Sequence, residues 1–196
     1  MGKRLFDIFW SVFGLVFLSP LLVVVAIAVK LTSKGPVLYS GKRVGMNEKE
    51  FFCHKFRTMK QNSDRISITV GDRDPRVTSI GVILRKLKMD ELPQLWNVLK
   101  GEMRFVGPRP DTAKYVEFYK KEYPDYYKFK PGITSPSSIY FADESELYVG
   151  CADPEKVYIE ETIPKKVELD KVYFENVSVI NDFKYIFITL FRIVKR

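Results

Sequence analysis

Apolar residues are distributed along this chain in distinct ways. Residues 8–29 carry no charged side chain, whereas later apolar positions recur at helical spacing among charges. Leu92, Leu95, Trp96 and Leu99 follow the spacing of a helix with one buried face, with Lys100 in its last turn and Gly101 placed to end it. Across residues 179–194, Ile180, Phe183, Phe187, Leu190, Phe191 and Val194 recur similarly, and Lys184, Arg192, Lys195 and Arg196 supply cationic anchors. Charge interrupts that segment too often for it to cross a bilayer. It reads as an in-plane interfacial helix, with packing on the protein's own core as the alternative. Helices are predicted over residues 79–87, 91–99, 112–122 and 160–174, and short strands over 37–39 and 51–56 around a turn at Gly45-Met46-Asn47. The polar loop 61–75 is expected to be mobile until ligand binds. The pattern implies an α+β, mainly helical fold. An N-terminal membrane element occupies residues 1–34, and a compact domain with a small β-hairpin occupies 35–196.

As one straight helix, residues 8–29 would run roughly 33 Å, enough to cross a bilayer core of about 30 Å. Pro20 interrupts the hydrogen-bond ladder mid-way, and the Ser19 hydroxyl can satisfy a freed carbonyl. Lys3 and Arg4 precede the segment; Lys30, Lys34, Lys42 and Arg43 follow it. Positive charge marks the cytoplasmic side, and here both flanks carry it. A hairpin bent at Ser19-Pro20, entering and leaving on one face, satisfies both flanks. A kinked single span with its N-terminus outside is the rival, and sequence physics leaves both open. No small-x-small motif follows the segment, so a cleaved signal peptide is not expected.

Composition narrows the chemistry. The chain has 32 Lys and Arg against 24 Asp and Glu, a net charge of +8 over 196 residues. That length has room for one catalytic domain plus the membrane element. A basic excess suits nucleic acid, an anionic membrane or phosphorylated substrates. With a membrane segment present and no nucleic-acid motif visible, membrane and phosphate are preferred. Cys53 and Cys151 lie far apart and His54 is the single histidine, which excludes zinc sites and Ser–His chemistry. His54, in an aromatic strand-like run, is expected to be structural.

The stretch Asp90-Glu91-Leu92-Pro93-Gln94-Leu95-Trp96-Asn97-Val98 places two adjacent carboxylates at a predicted helix start. Free N–H groups and the helix dipole favour negative charge there. Asp90 could be a simple N-cap, but Pro93 would then stand at the third helical position with no N–H to bond. Capping and catalysis both remain open from these residues alone. Cations gather in sequence around the pair: Lys55 and Arg57, Arg76, Arg85, Lys86 and Lys88, and Arg109. Arg109 stands between Pro108 and Pro110, which hold it extended and suit a rigid guanidinium clamp on phosphate. An acidic pair among phosphate-binding cations suggests a divalent metal and phosphoryl chemistry.

The run Asp74-Pro75-Arg76, Thr78, Gly81, Arg85-Lys86, Asp90-Glu91-Leu92-Pro93-Gln94-Leu95, Asn97-Val98-Leu99, Gly101-Glu102-Met103 and Val106-Gly107-Pro108-Arg109-Pro110 resembles the bacterial sugar transferases, the monotopic phosphoglycosyl transferases. The similarity extends over nearly the whole chain. It implies an enzyme on the cytoplasmic face of a bacterial inner membrane, carrying out the first membrane step of glycoconjugate assembly. Such an enzyme moves a phosphosugar from a UDP-sugar to a polyprenol phosphate, expected to be undecaprenyl phosphate, and releases UMP. The resemblance makes Asp90 the nucleophile of a covalent phosphosugar intermediate and has Asp90 and Glu91 hold Mg²⁺. It places Arg85 at the polyprenol phosphate and Lys55 and Arg109 at the donor diphosphate, with Arg57 a further substrate-binding residue. Ser19-Pro20 matches the bend of a re-entrant helix–break–helix. Membrane lipid is an implied partner, nucleic acid is not, and a homodimer stays open.

The run Lys128-Phe129-Lys130-Pro131-Gly132-Ile133-Thr134 again resembles the family, but Ser135-Pro136-Ser137-Ser138 stands where many members have Gly-Trp-Ala-Gln. Gly41-Lys42-Arg43 likewise replaces a Gln-x-Arg. Both departures leave the proposed centre intact and the sugar open. A membrane-tethered nucleotide-binding protein without turnover would keep the cations yet tolerate loss of Asp90. A nucleic-acid-binding module would bind polynucleotide in a salt-dependent way.

Overall fold

A computed structural model of the chain describes residues 2–60, 68–71 and 74–195. The loop expected at 61–75 falls largely outside them. The described chain is mostly helical with two small sheets. In order come α1 (Gly2–Phe17), α2 (Ser19–Thr32), β1 (Leu38–Val44), β2 (Glu50–Phe56), α3 (Ser79–Lys86) and α4 (Gln94–Lys100). Then follow β3 (Arg104–Val106), α5 (Val116–Glu122), β4 (Gly132–Thr134), α6 (Pro136–Tyr140), α7 (Pro154–Val157), α8 (Ile163–Glu175) and α9 (Val179–Val194).

The N-terminal pair α1 and α2 is bent by 62° at the predicted break. Pro20 has no N–H for the Val16 carbonyl four residues back, and the Ser19 hydroxyl donates to that carbonyl at 2.7 Å instead. Among the described residues no single helix is long and apolar enough to cross a membrane, whereas the bent pair together passes by length and composition. One stripe of α1 faces the protein. Asp7 and Ser11 are buried, and Gly14 lies so close to Leu95 that an added Cβ would meet its Cδ1 at 3.1 Å. Leu5, Phe9, Phe13, Val16 and Phe17 face outward.

Both ends of this hairpin are tied to the same body. At its start, Lys3 Nζ reaches Asp182 Oδ2 on α9 at 2.8 Å and Tyr173 on α8 at 2.9 Å. The Arg4 guanidinium donates to the last carbonyls of α4, Val98 at 2.7 Å and Leu99 at 2.6 Å. The capping Gly101 N–H reaches the Val98 carbonyl as well, and carbonyls at a helix C-terminus favour a cation. At the other end, Val25 and Val29 pack with Phe56 and Leu84, and Arg57 Nη2 donates to the Ser33 carbonyl at 2.7 Å.

The expected hairpin is present but longer: β1 pairs antiparallel with β2 from Leu38↔Phe56 to Val44↔Glu50, around a turn with Asn47 at φ 58°. Ser40-Gly41-Lys42 has no apolar alternation to announce a strand, yet β2 satisfies its backbone. The parallel pair of β3 and β4 was not predicted, because three residues each are too few to show a period. Two glycines allow that pair: a Cβ on Gly132 would sit 2.1 Å from the Gly107 nitrogen. The predicted helix at 112–122 opens as a 3₁₀ turn, Ala113–Tyr115, before α5. That at 160–174 begins as a wide π turn, Tyr158–Thr162, before α8. Pro164 cannot bond the Glu160 carbonyl, which favours the wider turn.

The main core joins α5 and α8 through aromatic side chains, among them Tyr119, Tyr126, Tyr158 and Phe174. On the buried face of α8, Asp170 accepts from the Ser137 N–H at 2.9 Å and its hydroxyl at 2.8 Å, and burial pushes its carboxyl up to about 6. This fixes α6 against α8. Helix α9 spans the predicted residues. Asp182 and Thr189 make inward polar contacts, the latter to Thr134 at 2.7 Å, and Tyr185 and Ile186 pack against the core, while Ile180, Phe187, Leu190 and Phe191 remain exposed.

Candidate active site

Three separate segments deliver the charged groups of the site. At the first, Thr78 caps α3 by accepting from the Gly81 N–H at 3.1 Å. Gly81 presses on the Thr58 carbonyl, where a Cβ would stand only 2.2 Å away. That approach brings Arg85, in the last turn of α3, to Thr58, with Nε donating to Oγ1 at 3.0 Å. Lys88 then turns the chain in a left-handed conformation at φ 54°, rare for a side chain of its size. The reversal leads directly into a 3₁₀ turn, Met89–Glu91, in which Asp90 and Glu91 are both buried.

The second segment is β2, whose last residues aim Lys55 inward so that Nζ lies 2.8 Å from Glu91 Oε1. The third follows β3, where the Pro-flanked Arg109 places Nη2 2.8 Å from the same oxygen. Asn97 holds two of these segments together. Its side chain accepts from the His54 N–H at 3.1 Å and donates to the Phe52 carbonyl and Glu102 Oε2, each at 2.7 Å. Asn97 belonged to the motif that carried the resemblance, but no role for it was legible without its partners on β2. Lys88 was legible only as one cation in a cluster.

The two carboxylates are electrically different. Burial opposes charge on Glu91, but Arg109, Lys55 and Lys88 outweigh it and hold the carboxyl well below its ordinary range. The Glu91 charge raises Arg109 above its usual value, while burial lowers Lys88. At Asp90, burial and the neighbouring Glu91 charge push the carboxyl up. Its Oδ1 is buried with no hydrogen-bond partner among the described residues. A buried acceptor left unsatisfied costs about 1–3 kcal/mol. Glu91 is thus the anchored anion and Asp90 the under-compensated one.

The expectation of carboxylates at a helix N-terminus needs correction. Helix α4 begins at Gln94, with Pro93 in the cap position. The Glu91 and Leu92 N–H groups are spent within the preceding turn, on the carbonyls of Lys88 and Met89. Cations rather than a helix end stabilise the pair. The buried face of α4 is Gln94, Leu95, Asn97 and Val98, and Trp96 is 49% exposed. Arg57, expected to bind substrate, lies on this side of the structure but donates to Ser33 at the hairpin's end rather than to the carboxylates. Its buried Nε and Nη1 have no partner among the described residues. His54 is structural as expected, with Nδ1 2.9 Å from the Ser40 hydroxyl. Burial pushes the Cys53 thiol up and away from nucleophilic thiolate character.

A cavity of about 1280 Å³ joins these groups, with Lys55, Arg57, Arg85, Asp90, Glu91 and Arg109 all on its wall. Among the described residues no group of three or more His, Cys, Asp or Glu could hold a metal ion. Asp90 Oδ1 nevertheless offers a free buried oxygen beside Glu91. Mg²⁺ commonly takes one or two carboxylates and fills its remaining positions with substrate phosphate and water, so the pair fits that ion.

Residues 1–196 match the family described as bacterial sugar transferase. The chain belongs to that family. Among its relatives is a UDP-N-acetylgalactosamine-undecaprenyl-phosphate N-acetylgalactosaminephosphotransferase of Aeromonas hydrophila, 36% identical over 192 residues, covering 96% of this chain and 42% of that protein. A UDP-glucose:undecaprenyl-phosphate glucose-1-phosphate transferase of Escherichia coli K12 is 38% identical over 195 residues, covering 97% and 39%. The exopolysaccharide production protein ExoY of Sinorhizobium fredii is 39% identical over 150 residues, covering 68% and 66%. The chain therefore spans about two-fifths of the first two relatives.

The asymmetry between the carboxylates predicts opposite stability effects of substituting them. Asp90→Asn should leave chemical-denaturation stability unchanged or raised, since it removes an under-compensated buried charge. Glu91→Gln should lower it by about 3–5 kcal/mol, because it strands Lys55, Lys88 and Arg109 against one another. Equal losses in the two variants would contradict this assignment of charge.

Proposed function

We propose that this protein transfers a phosphosugar from a UDP-sugar to a polyprenol phosphate, giving polyprenol-diphosphate-sugar and UMP. The observation that carries this reading is the buried Asp90 oxygen, without a partner among the described residues, held near Lys55, Lys88 and Arg85. The names of the relatives, with UDP-sugar donors and undecaprenyl phosphate acceptors, support it and make undecaprenyl phosphate the expected acceptor here.

Lys55 and Arg109, already directed at Glu91, draw the donor diphosphate toward the carboxylates. One oxygen of Asp90 attacks the phosphorus attached to the sugar. The Asp90–phosphorus bond forms, the bond to the bridging oxygen breaks, and UMP leaves with that oxygen and its electron pair. A phosphate oxygen of the polyprenol phosphate then attacks the same phosphorus and returns the Asp90 carboxylate. Splitting one transfer into two is covalent catalysis, and it lets a water-soluble donor and a lipid acceptor use one site in turn. Asp90 and Glu91 would hold Mg²⁺, which when bound screens repulsion between carboxylate and diphosphate. Arg85 binds the acceptor phosphate near the end of α3. Arg57, with two unpaired donors on the same wall, is suited to assist it there.

Residues 1–34 form a re-entrant hairpin in the cytoplasmic leaflet of the bacterial inner membrane, and residues 35–196 form the catalytic domain on that face. Tethering of both hairpin ends to one body supports this topology over a single span, as does positive charge on both flanks. The exposed apolar face of α9 and the half-exposed Trp96 suit the interfacial region.

With UDP-sugars, undecaprenyl phosphate and Mg²⁺, the purified protein should release UMP, and Asp90→Asn should abolish release while retaining donor binding. Donor binding by wild type without release would instead mean a binding protein without turnover. For topology, cysteines replacing Lys3 and Lys34 should both resist an impermeant periplasmic reagent in intact cells; reaction at position 3 alone would mean a single span.

A further inference from the structure

Beyond Arg109 the cavity continues to a wall that the transfer steps leave unused. The 3₁₀ turn Glu144–Tyr148, the π turn carrying Tyr158, and Lys166 on α8 build it. Lys166 is only 4% exposed. Its Nζ lies 2.8 Å from Glu144 Oε1, 3.4 Å from the Tyr158 hydroxyl and 4.6 Å from the centre of the Tyr158 ring. The Tyr148 hydroxyl donates to the same Glu144 oxygen at 3.0 Å. Both bonds therefore fall on Oε1, while the Glu144 side chain keeps 24% of its surface open on the cavity wall. Tyr158 also donates to Asp111 and lies 3.1 Å from the Tyr119 hydroxyl. Ser137 and Ser138 of α6 line the cavity as well.

We propose that this wall, centred on Glu144 and Lys166, recognises the hexosyl ring of the donor. The inference rests on the phosphosugar-transfer reading and names the part of the site that reads the sugar. A buried ion pair is a weak stabiliser of a fold, so its position on a cavity wall points to the cavity's contents. Its chemistry suits a polyol: a carboxylate oxygen accepts from hydroxyls, an ammonium donates to them, and the tyrosine rings offer apolar faces. It does not suit a second phosphate, because Glu144 and Asp111 would oppose one beside the single cation. Position agrees with this. Glu144 and Arg109 are close enough to favour each other's charged forms. The sugar is joined to phosphorus through one oxygen, so a ring whose phosphate lies on Arg109 must rest beside it. The Ser135-Pro136-Ser137-Ser138 run, where this chain departs from the family's pattern, adjoins the same wall.

The test measures binding of UDP, UDP-glucose, UDP-N-acetylglucosamine and UDP-N-acetylgalactosamine to the full chain in detergent by calorimetry. Glu144→Gln, Lys166→Met and the double variant are compared with wild type. The double variant removes both charges together and keeps the wall's volume, which guards against misfolding from one stranded charge. The expected result is loss of roughly 10-fold or more for the preferred UDP-sugar, or a reordered preference, with UDP affinity held within about twofold. Unchanged affinity and ranking in all three variants would overturn the inference. Equal losses for UDP and UDP-sugars would also overturn it, because the wall would then hold the nucleotide. If wild type binds UDP-sugars no better than UDP, the sugar-reading wall fails while the transfer reaction stands. If wild type binds no UDP-sugar at all, both readings fail.

Discussion

One carboxylate oxygen organises this molecule. Glu91 Oε1 receives Lys55 from β2 and Arg109 from the segment after β3, and Lys88 stands close by. None of these cations could be buried as cheaply without that charge, and the charge could not be buried without them. The strained turn at Lys88, the close contacts at Gly81 and Gly107, and the Asn97 clamp all serve to bring the three segments within reach. With Glu91 committed to holding the frame, Asp90 is left with an unsatisfied oxygen. Adjacent residues of the same chemical type thus acquire different work, one structural and electrostatic, the other, in the proposed reaction, nucleophilic.

The same logic links the site to the N-terminal hairpin. Arg4 caps α4, the helix whose Asn97 clamps β2, and Arg57 ties Ser33 to the end of β2. The hairpin is consequently part of the frame that positions Lys55 and the carboxylate turn. In the proposed membrane placement, its apolar outer face and that of α9 set the depth at which the site meets lipid. Ser19 is central to the hairpin, because its hydroxyl satisfies the carbonyl that Pro20 abandons.

Much of this was legible in the sequence. The break at Ser19-Pro20 follows from proline's missing N–H, the span of α9 from its periodic apolar residues, and the end of α4 from Gly101, which adopts φ 87°. The cations around the acidic pair were legible as a set. What each one touches was not, because that depends on contacts between distant segments: Arg109 pairs with Glu91, whereas Arg57 pairs with Ser33. Trp96 was misassigned to the buried face because apolar spacing does not say which apolar side chains the rest of the protein covers. The helix start at Asp90 failed for a local reason, since Lys88 and Pro93 favour a short turn ahead of α4. The polar wall around Glu144 and Lys166 left no sequence signal, as its members come from separate turns and helices.

The division of labour between Asp90 and Glu91 is tested most directly by trapping the half-reaction. The purified protein would be incubated with a UDP-sugar and Mg²⁺ in the absence of polyprenol phosphate, quenched, digested and examined by mass spectrometry. The account predicts a phosphosugar ester on the peptide containing Asp90, localised to Asp90, and discharged when polyprenol phosphate is added before quenching. A modification localised to Glu91, or UMP released at one equivalent per site with no ester anywhere on the chain, would contradict it.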